Sequence, residues 1–158
     1  MIKKTRILIN TNLNIYLYSL ISFFFESDLK KNFLKKLKNY LKTKNLILCS
    51  QGRVAAYNIF KILIKNKRNE ILISPYTLPE VISAIIYAGA KPIYVDIDVK
   101  TGLPNSKNLS RLINNKTAGL VITHLYSNNK NITSFKKKFL NKVIIIEDTA
   151  INLGAKLD

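Results

Sequence analysis

Two carboxylates, Glu147 and Asp148, stand directly behind the β-branched run of "VIIIEDTAINLG", Val143 to Gly154. An acid at the end of a buried-looking strand reads in two ways. Asp148 caps the turn that follows, or its carboxylate faces a cationic ring nitrogen or a metal ion. A metal needs further ligands, and His124 is the sole histidine and Cys49 the sole cysteine, so no metal site is expected. A second candidate is "SQGRVAA", Ser50 to Ala56. Ser50 is expected to cap a helix whose first-turn N–H groups are open to a phosphate. Gly52 lets the backbone approach closely there, and Arg53 adds a bidentate contact. The plainer alternative is a capped helix with one surface arginine. His124 reads as a packed strand-end histidine before a catalytic base, and Asp96 and Asp98 as acids serving the turn into "VKTGLP".

Positioning these residues takes strands and helices in alternation. Apolar runs at Ile71–Ser74, Pro92–Asp96, Gly119–His124 and Val143–Ile146 predict strands buried on both faces. Between them lie helical patterns: "PEVISAIIYAGA", with Pro79 at its first position and Gly89 at its end, then Ser106 to Ile113 and Thr133 to Leu140. A helix after Ser50 is expected to bury Val54, Ala55, Ile59, Phe60 and Leu63. This alternation predicts an α/β fold of three layers with a mainly parallel sheet. Ligands of such sheets bind beyond the carboxyl ends of the strands, which is where the candidate acids lie. Upstream, Leu29, Phe33, Leu34, Leu37 and Leu41 recur at helical spacing between Asp28 and Lys44, with lysines on the other face.

The chain has 158 residues and 47% hydrophobic content, enough for about one domain with a sizeable core. Its net charge of +17 attracts polyanions at long range. The excess is mostly lysine, with few arginines to read bases or fork onto phosphates, so a nucleic-acid partner is not the leading expectation. One cysteine excludes an internal disulfide framework and makes a reduced, cytoplasmic setting the default. The basic start (Lys3, Lys4, Arg6) and the run "IYLYSLISFFF" imitate a signal peptide. Asn10, Thr11, Asn12 and Asn14 interrupt it, no small-residue cleavage site follows, and the run is too short to span a bilayer. The N-x-S/T triplets at Asn108, Asn115 and Asn131 therefore lack a secretory context.

"SQGRVAAYNIF", "EILISPYTLPEVISAIIYAGAKPIYVDID", "GLVITHLYS" and "VIIIEDTAINLGA" together resemble successive blocks of the DegT/DnrJ/EryC1/StrS family, pyridoxal-phosphate-dependent sugar aminotransferases of fold type I. The resemblance implies a helical lead-in over residues 1–49 and part of a cofactor-binding large domain over 50–158. It implies that Gly52 and Arg53 bind the cofactor phosphate, in place of the family's Gly-Thr pair. Asp148 would pair with the pyridine nitrogen, Ala150 would lie against one ring face, and Leu78 would occupy the position of a stacking aromatic. Ile151 replaces a glutamine that contacts the ring hydroxyl, and Ser127 replaces the glycine of "HLYG". The family's Schiff-base lysine and small domain lie further on than these blocks reach. The chain is therefore expected to be an N-terminal or truncated piece, without a catalytic lysine and inactive alone. The complete enzymes use glutamate as amino donor and a nucleotide-linked keto-sugar, act as homodimers, and make amino sugars for surface polysaccharide. Dehydratase members, with histidine for the lysine, remain open. The alternative from another class is a non-catalytic basic α/β binding module for a nucleic-acid or protein partner.

Overall fold

A computed structural model describes residues 12–22, 24, 26–65, 67–124 and 132–151. Lys3, Lys4, Arg6, Asn10, Thr11, Ser127, Asn131 and the residues from Asn152 onward lie outside it. The chain divides into two units, Met1–Ile47 and Leu48–Asp158. The first contains helices α1 (Leu13–Ser22) and α2 (Glu26–Leu41). Lys42 ends α2 in a left-handed conformation, φ 50°. Among the described residues no helix is long and apolar enough to cross a membrane.

In the second unit, α3 (Gly52–Leu63) leads into β1 (Glu70–Ile73), α4 (Pro79–Tyr87), β2 (Lys91–Tyr94), α5 (Ser106–Leu112), β3 (Thr117–Thr123), α6 (Ile132–Phe139) and β4 (Ile145–Asp148). The strands form one sheet in the order β2-β1-β3-β4, and every pairing is parallel. A parallel pair needs a crossover, and a helix supplies each one here. Pro92, which has no N–H to donate, sits on β2, an edge strand that tolerates it.

Side chains alternate across the sheet and so make two cores. On one face Ile71, Ile73 and Val121 pack with Phe60 of α3 and with Val81, Ala84 and Ile85 of α4. On the other, Leu72, Leu120 and Ile122 pack with Leu109 of α5 and with Ile132, Phe135 and Phe139 of α6. These are the three layers expected of the sequence.

The ends differ from expectation in ways that local chemistry explains. β4 starts at Ile145, two residues later than expected, because Val143 still bonds through its N–H to Phe139 at the end of α6. It continues through both acids, with Ile122 paired to Glu147 and Thr123 to Asp148. Gln51, not Ser50, is the N-cap of α3, and it makes no side-chain cap bond. Asn105 caps α5 by accepting from the N–H groups of Lys107 and Asn108. Gly89, φ +90°, closes α4: its N–H reaches Ile86 while that of Ala90 reaches Ile85, the paired bonds of a left-handed helix end.

Candidate functional site

β1 runs into α4 on one face of the sheet and β3 into α6 on the other, so the chain leaves adjacent strands in opposite directions. Such a divergence opens a crevice at the strand ends. Thr77 and Thr123, following β1 and ending β3, share a hydroxyl hydrogen bond of 2.8 Å there. Beside it lies a cavity of about 320 Å³ lined by α3, the start of α4, Val121 and the segment Ile146 to Ala150.

Gly52, Arg53, Leu78, Asp148 and Ala150, the candidates from the sequence, all line this one cavity. Gly52 and Arg53 open α3. The carbonyl of Gln51 takes the N–H groups of Val54 and Ala55, and no side chain caps the helix, which leaves the donors of Gly52 and Arg53 for an anion at the helix mouth. Packing does not require glycine at position 52, since a Cβ there would meet no atom within 4 Å. The Arg53 guanidinium donates through Nε to Gln51 Oε1 at 2.5 Å. Leu78 is the N-cap of α4 and is half exposed on the cavity wall.

Asp148 is half-buried, and one carboxylate oxygen accepts the N–H of Ala150 at 3.3 Å. The turn-capping reading of this acid is therefore part of its role, and the same bond draws Ala150 to the cavity rim. Asp148 shares a strand face with Ile146, which packs in the α3/α4 core. Glu147, one residue earlier, belongs to the α5/α6 face. There it accepts from His124 Nε2 at 3.2 Å and from the Lys136 ammonium of α6. His124 is accordingly a packed histidine, 6% exposed. Asp96 and Asp98 serve their turn: Asp98 accepts from Lys100 N–H and the Asp96 carbonyl from Asn105 N–H. Ile151 is exposed on the following turn.

The sequence reading missed the cavity floor. Ala55, Ala56, Ile59, Phe60, Val81 and Val121 supply it. Gly52, Ala55, Ala56 and Ile59 follow the i, i+3, i+4, i+7 spacing of one helix face, a signal present in the sequence and assigned to core. Of the residues expected to be buried on α3, Phe60 is; Ile59 is 40% exposed and Val54 39% exposed. Ile59 faces the cavity, and Val54 lines a groove between α3 and α4 with Tyr57 and Tyr87.

An apolar floor, the Asp148 carboxylate and a helix mouth with unpaired donors suit a flat, cationic, phosphorylated ring. Comparison with known proteins agrees. Residues 22–158 match the DegT/DnrJ/EryC1/StrS aminotransferase family. The chain is 27% identical over 132 residues to GDP-perosamine synthase of Escherichia coli O157:H7, covering 80% of this chain and 36% of that protein. It is 26% identical over 127 residues to dTDP-4-amino-4,6-dideoxy-D-glucose transaminase of Shigella dysenteriae, covering 78% and 34%. Among solved structures, NtdA from Bacillus subtilis, with bound cofactor PMP, superposes with a TM-score of 0.66 at 26% identity, covering 78% of this chain and 29% of that one. The chain thus spans about a third of the length of these relatives. The likeness implies pyridoxal phosphate as cofactor, and the unpaired donors of α3 and the half-buried Asp148 fit its two charged ends. A parallel α/β sheet that brings these segments to one crevice, together with a family match over most of its length, means that the chain belongs to the DegT/DnrJ/EryC1/StrS aminotransferase family.

Proposed function

We propose that these residues supply the phosphate and ring-nitrogen contacts of the cofactor site in an aminotransferase acting on a nucleotide-linked keto-sugar, with glutamate as amino donor. The observation that carries the reading is convergence. Segments at positions 52–53, 78 and 148–150, far apart in sequence, meet on a single cavity. The two relatives, a GDP-perosamine synthase and a dTDP-4-amino-4,6-dideoxy-D-glucose transaminase, support a nucleotide-linked sugar as substrate class.

When bound, pyridoxal phosphate supplies an electron sink for the carbon that loses its proton. The part played by this chain is electrostatic and positional. The N–H groups of Gly52 and Arg53 and the Arg53 guanidinium hold the phosphate. The Asp148 carboxylate would keep a proton on the ring nitrogen, and the capping bond from Ala150 fixes its rotamer. Leu78 and Ala150, both on the cavity lining, would flank the ring. Leu78 replaces aromatic stacking with aliphatic contact, which orients a ring less sharply. The floor of Ala55, Ala56, Ile59 and Val81 excludes water and so strengthens the charge pairing. The finer setting is a cytoplasmic homodimer in amino-sugar synthesis for surface polysaccharide, with the covalent lysine contributed by chain outside these residues.

The test is titration with pyridoxal 5′-phosphate, read by cofactor absorbance. Asp148→Ala removes a charge-assisted hydrogen bond of about 1.5–3 kcal/mol, so the dissociation constant is expected to rise by roughly 10- to 150-fold. Equal binding by the wild type and Asp148→Ala would overturn the assignment.

A further inference from the structure

The acid beside Asp148 is tied into a chain of contacts on the opposite face of the sheet. Glu147 accepts from His124 Nε2 at 3.2 Å through one oxygen and from Lys136 Nζ through the other. His124 is buried at the end of β3, while Glu147 and Lys136 are partly exposed. The backbone joins the same partners, because His124 N–H donates to the Asp148 carbonyl at 3.0 Å. Strand β4 is therefore held at its last rung by a main-chain bond, by the imidazole of His124 just after β3 and by an ammonium of α6. Among the described residues β4 pairs on one side only, with β3, and its last paired residue is Asp148. Without such ties the end of a strand frays. Asp148 sits at that end, and its carboxylate points to the cavity on the other side.

We propose that His124 and Lys136 act through Glu147 as positioning residues for Asp148. This rests on the reading of Asp148 as partner of the cofactor ring nitrogen. Three groups on the α6 face fix the height and twist of β4, and the alternation of the strand converts that into the location of the next side chain on the α3/α4 face. The carboxylate then meets the ring nitrogen without first ordering its own backbone, a cost that a loose strand end imposes on every binding event. Neither His124 nor Lys136 lines the cavity, and the Glu147 carboxylate is engaged by both.

The experiment is a double-mutant cycle on the full chain, with the dissociation constant of pyridoxal 5′-phosphate as readout. Its variants are Glu147→Ala, Lys136→Met, Lys136→Arg, Asp148→Asn and the pair Glu147→Ala/Asp148→Asn. Glu147→Ala is expected to weaken binding about tenfold, inside the coupling range of contacting residues. In the Asp148→Asn background the same change is expected to do less than about twofold, because the group it positions is gone. Lys136→Met should follow Glu147→Ala in direction, and Lys136→Arg should retain wild-type affinity. Lys136 is partly exposed, so its variants keep the test open should Glu147→Ala fold poorly. An equal loss from Glu147→Ala in both backgrounds would mean general damage and overturn the proposal. So would wild-type affinity in Glu147→Ala and Lys136→Met while Asp148→Asn binds weakly, in which case the role of Asp148 survives. Should Asp148→Asn bind like wild type, the reading of Asp148 fails first and this proposal with it.

Discussion

Adjacent residues of one strand serve opposite faces, and that rule separates Glu147 from Asp148. From sequence, both acids stood at the end of one apolar run, and the resemblance singled out Asp148. The period of two already sends one of them away from the other, but which helix waits on each side is a tertiary fact. The contacts of Glu147 with His124 and Lys136 span 23 and 11 positions, and no local pattern announces them. Gly119 is another residue whose reason is tertiary. A Cβ there would lie 2.9 Å from Ile146 Cδ1 and 3.3 Å from Leu63 Cδ1, between β4 and the end of α3. Gly119→Val is therefore expected to overpack this seam at a cost of about 1–3 kcal/mol. The check is a lower urea midpoint with an unchanged slope. Because Ile146 also lines the cavity, the same variant should weaken cofactor binding.

Elements were legible where their signals are local. Pro79 at the first position of α4 and Gly89 beyond its end bracket that helix as the sequence predicts, since fixed φ and freedom at positive φ act within single residues. Strand ends were less legible, because pairing partners decide them. Val143 and Ile144 look like strand, yet pairing with β3 begins at Ile145 opposite Leu120. The N-terminus of α3 was misjudged for a related reason: Ser50 is a better capping type than Gln51, but a cap is set by where the chain turns. Where the cap is a side chain, removing it has a definite cost. Asn105 Oδ1 accepts from Lys107 N–H at 3.0 Å and Asn108 N–H at 3.1 Å. Asn105→Ala is expected to lose about 1 kcal/mol, seen as a melting temperature lower by about 2–4 °C. Leu109 of α5 is buried in the α5/α6 core, so the loss should appear in the global transition.

At the scale of the molecule, charge and lysine placement decide what the chain does. Lys65, Lys67, Arg68 and Lys116 surround a depression before β1 and β3, at the end of the sheet away from the cavity. This cluster favours the second reading, a basic binding module, more than any other feature. A diffuse lysine patch acts by counterion release, so DNA binding is expected to be weak and to fall steeply from 50 to 200 mM salt. Tight, sequence-selective binding that survives 200 mM salt would move the assignment to that reading.

Lysine is abundant elsewhere, yet among the described residues that line the cavity none is a lysine. An amine must reach the cofactor carbonyl to bond with it, and pKa tuning cannot compensate for distance. The ammonium of Lys136 is engaged with Glu147 on the other face of the sheet, and Lys61 of α3 donates to the Ala88 carbonyl at 3.4 Å. Through the described residues, pyridoxal 5′-phosphate is therefore expected to be held by Asp148 and the mouth of α3. Borohydride reduction followed by peptide mapping should find the described lysines, Lys61 and Lys136 among them, labelled only at low stoichiometry. Binding itself should still respond to Asp148→Ala, which separates a site without its covalent partner from no site at all. One-to-one labelling of Lys61, Lys136 or another described lysine would show that its amine reaches this cavity and would overturn the expectation.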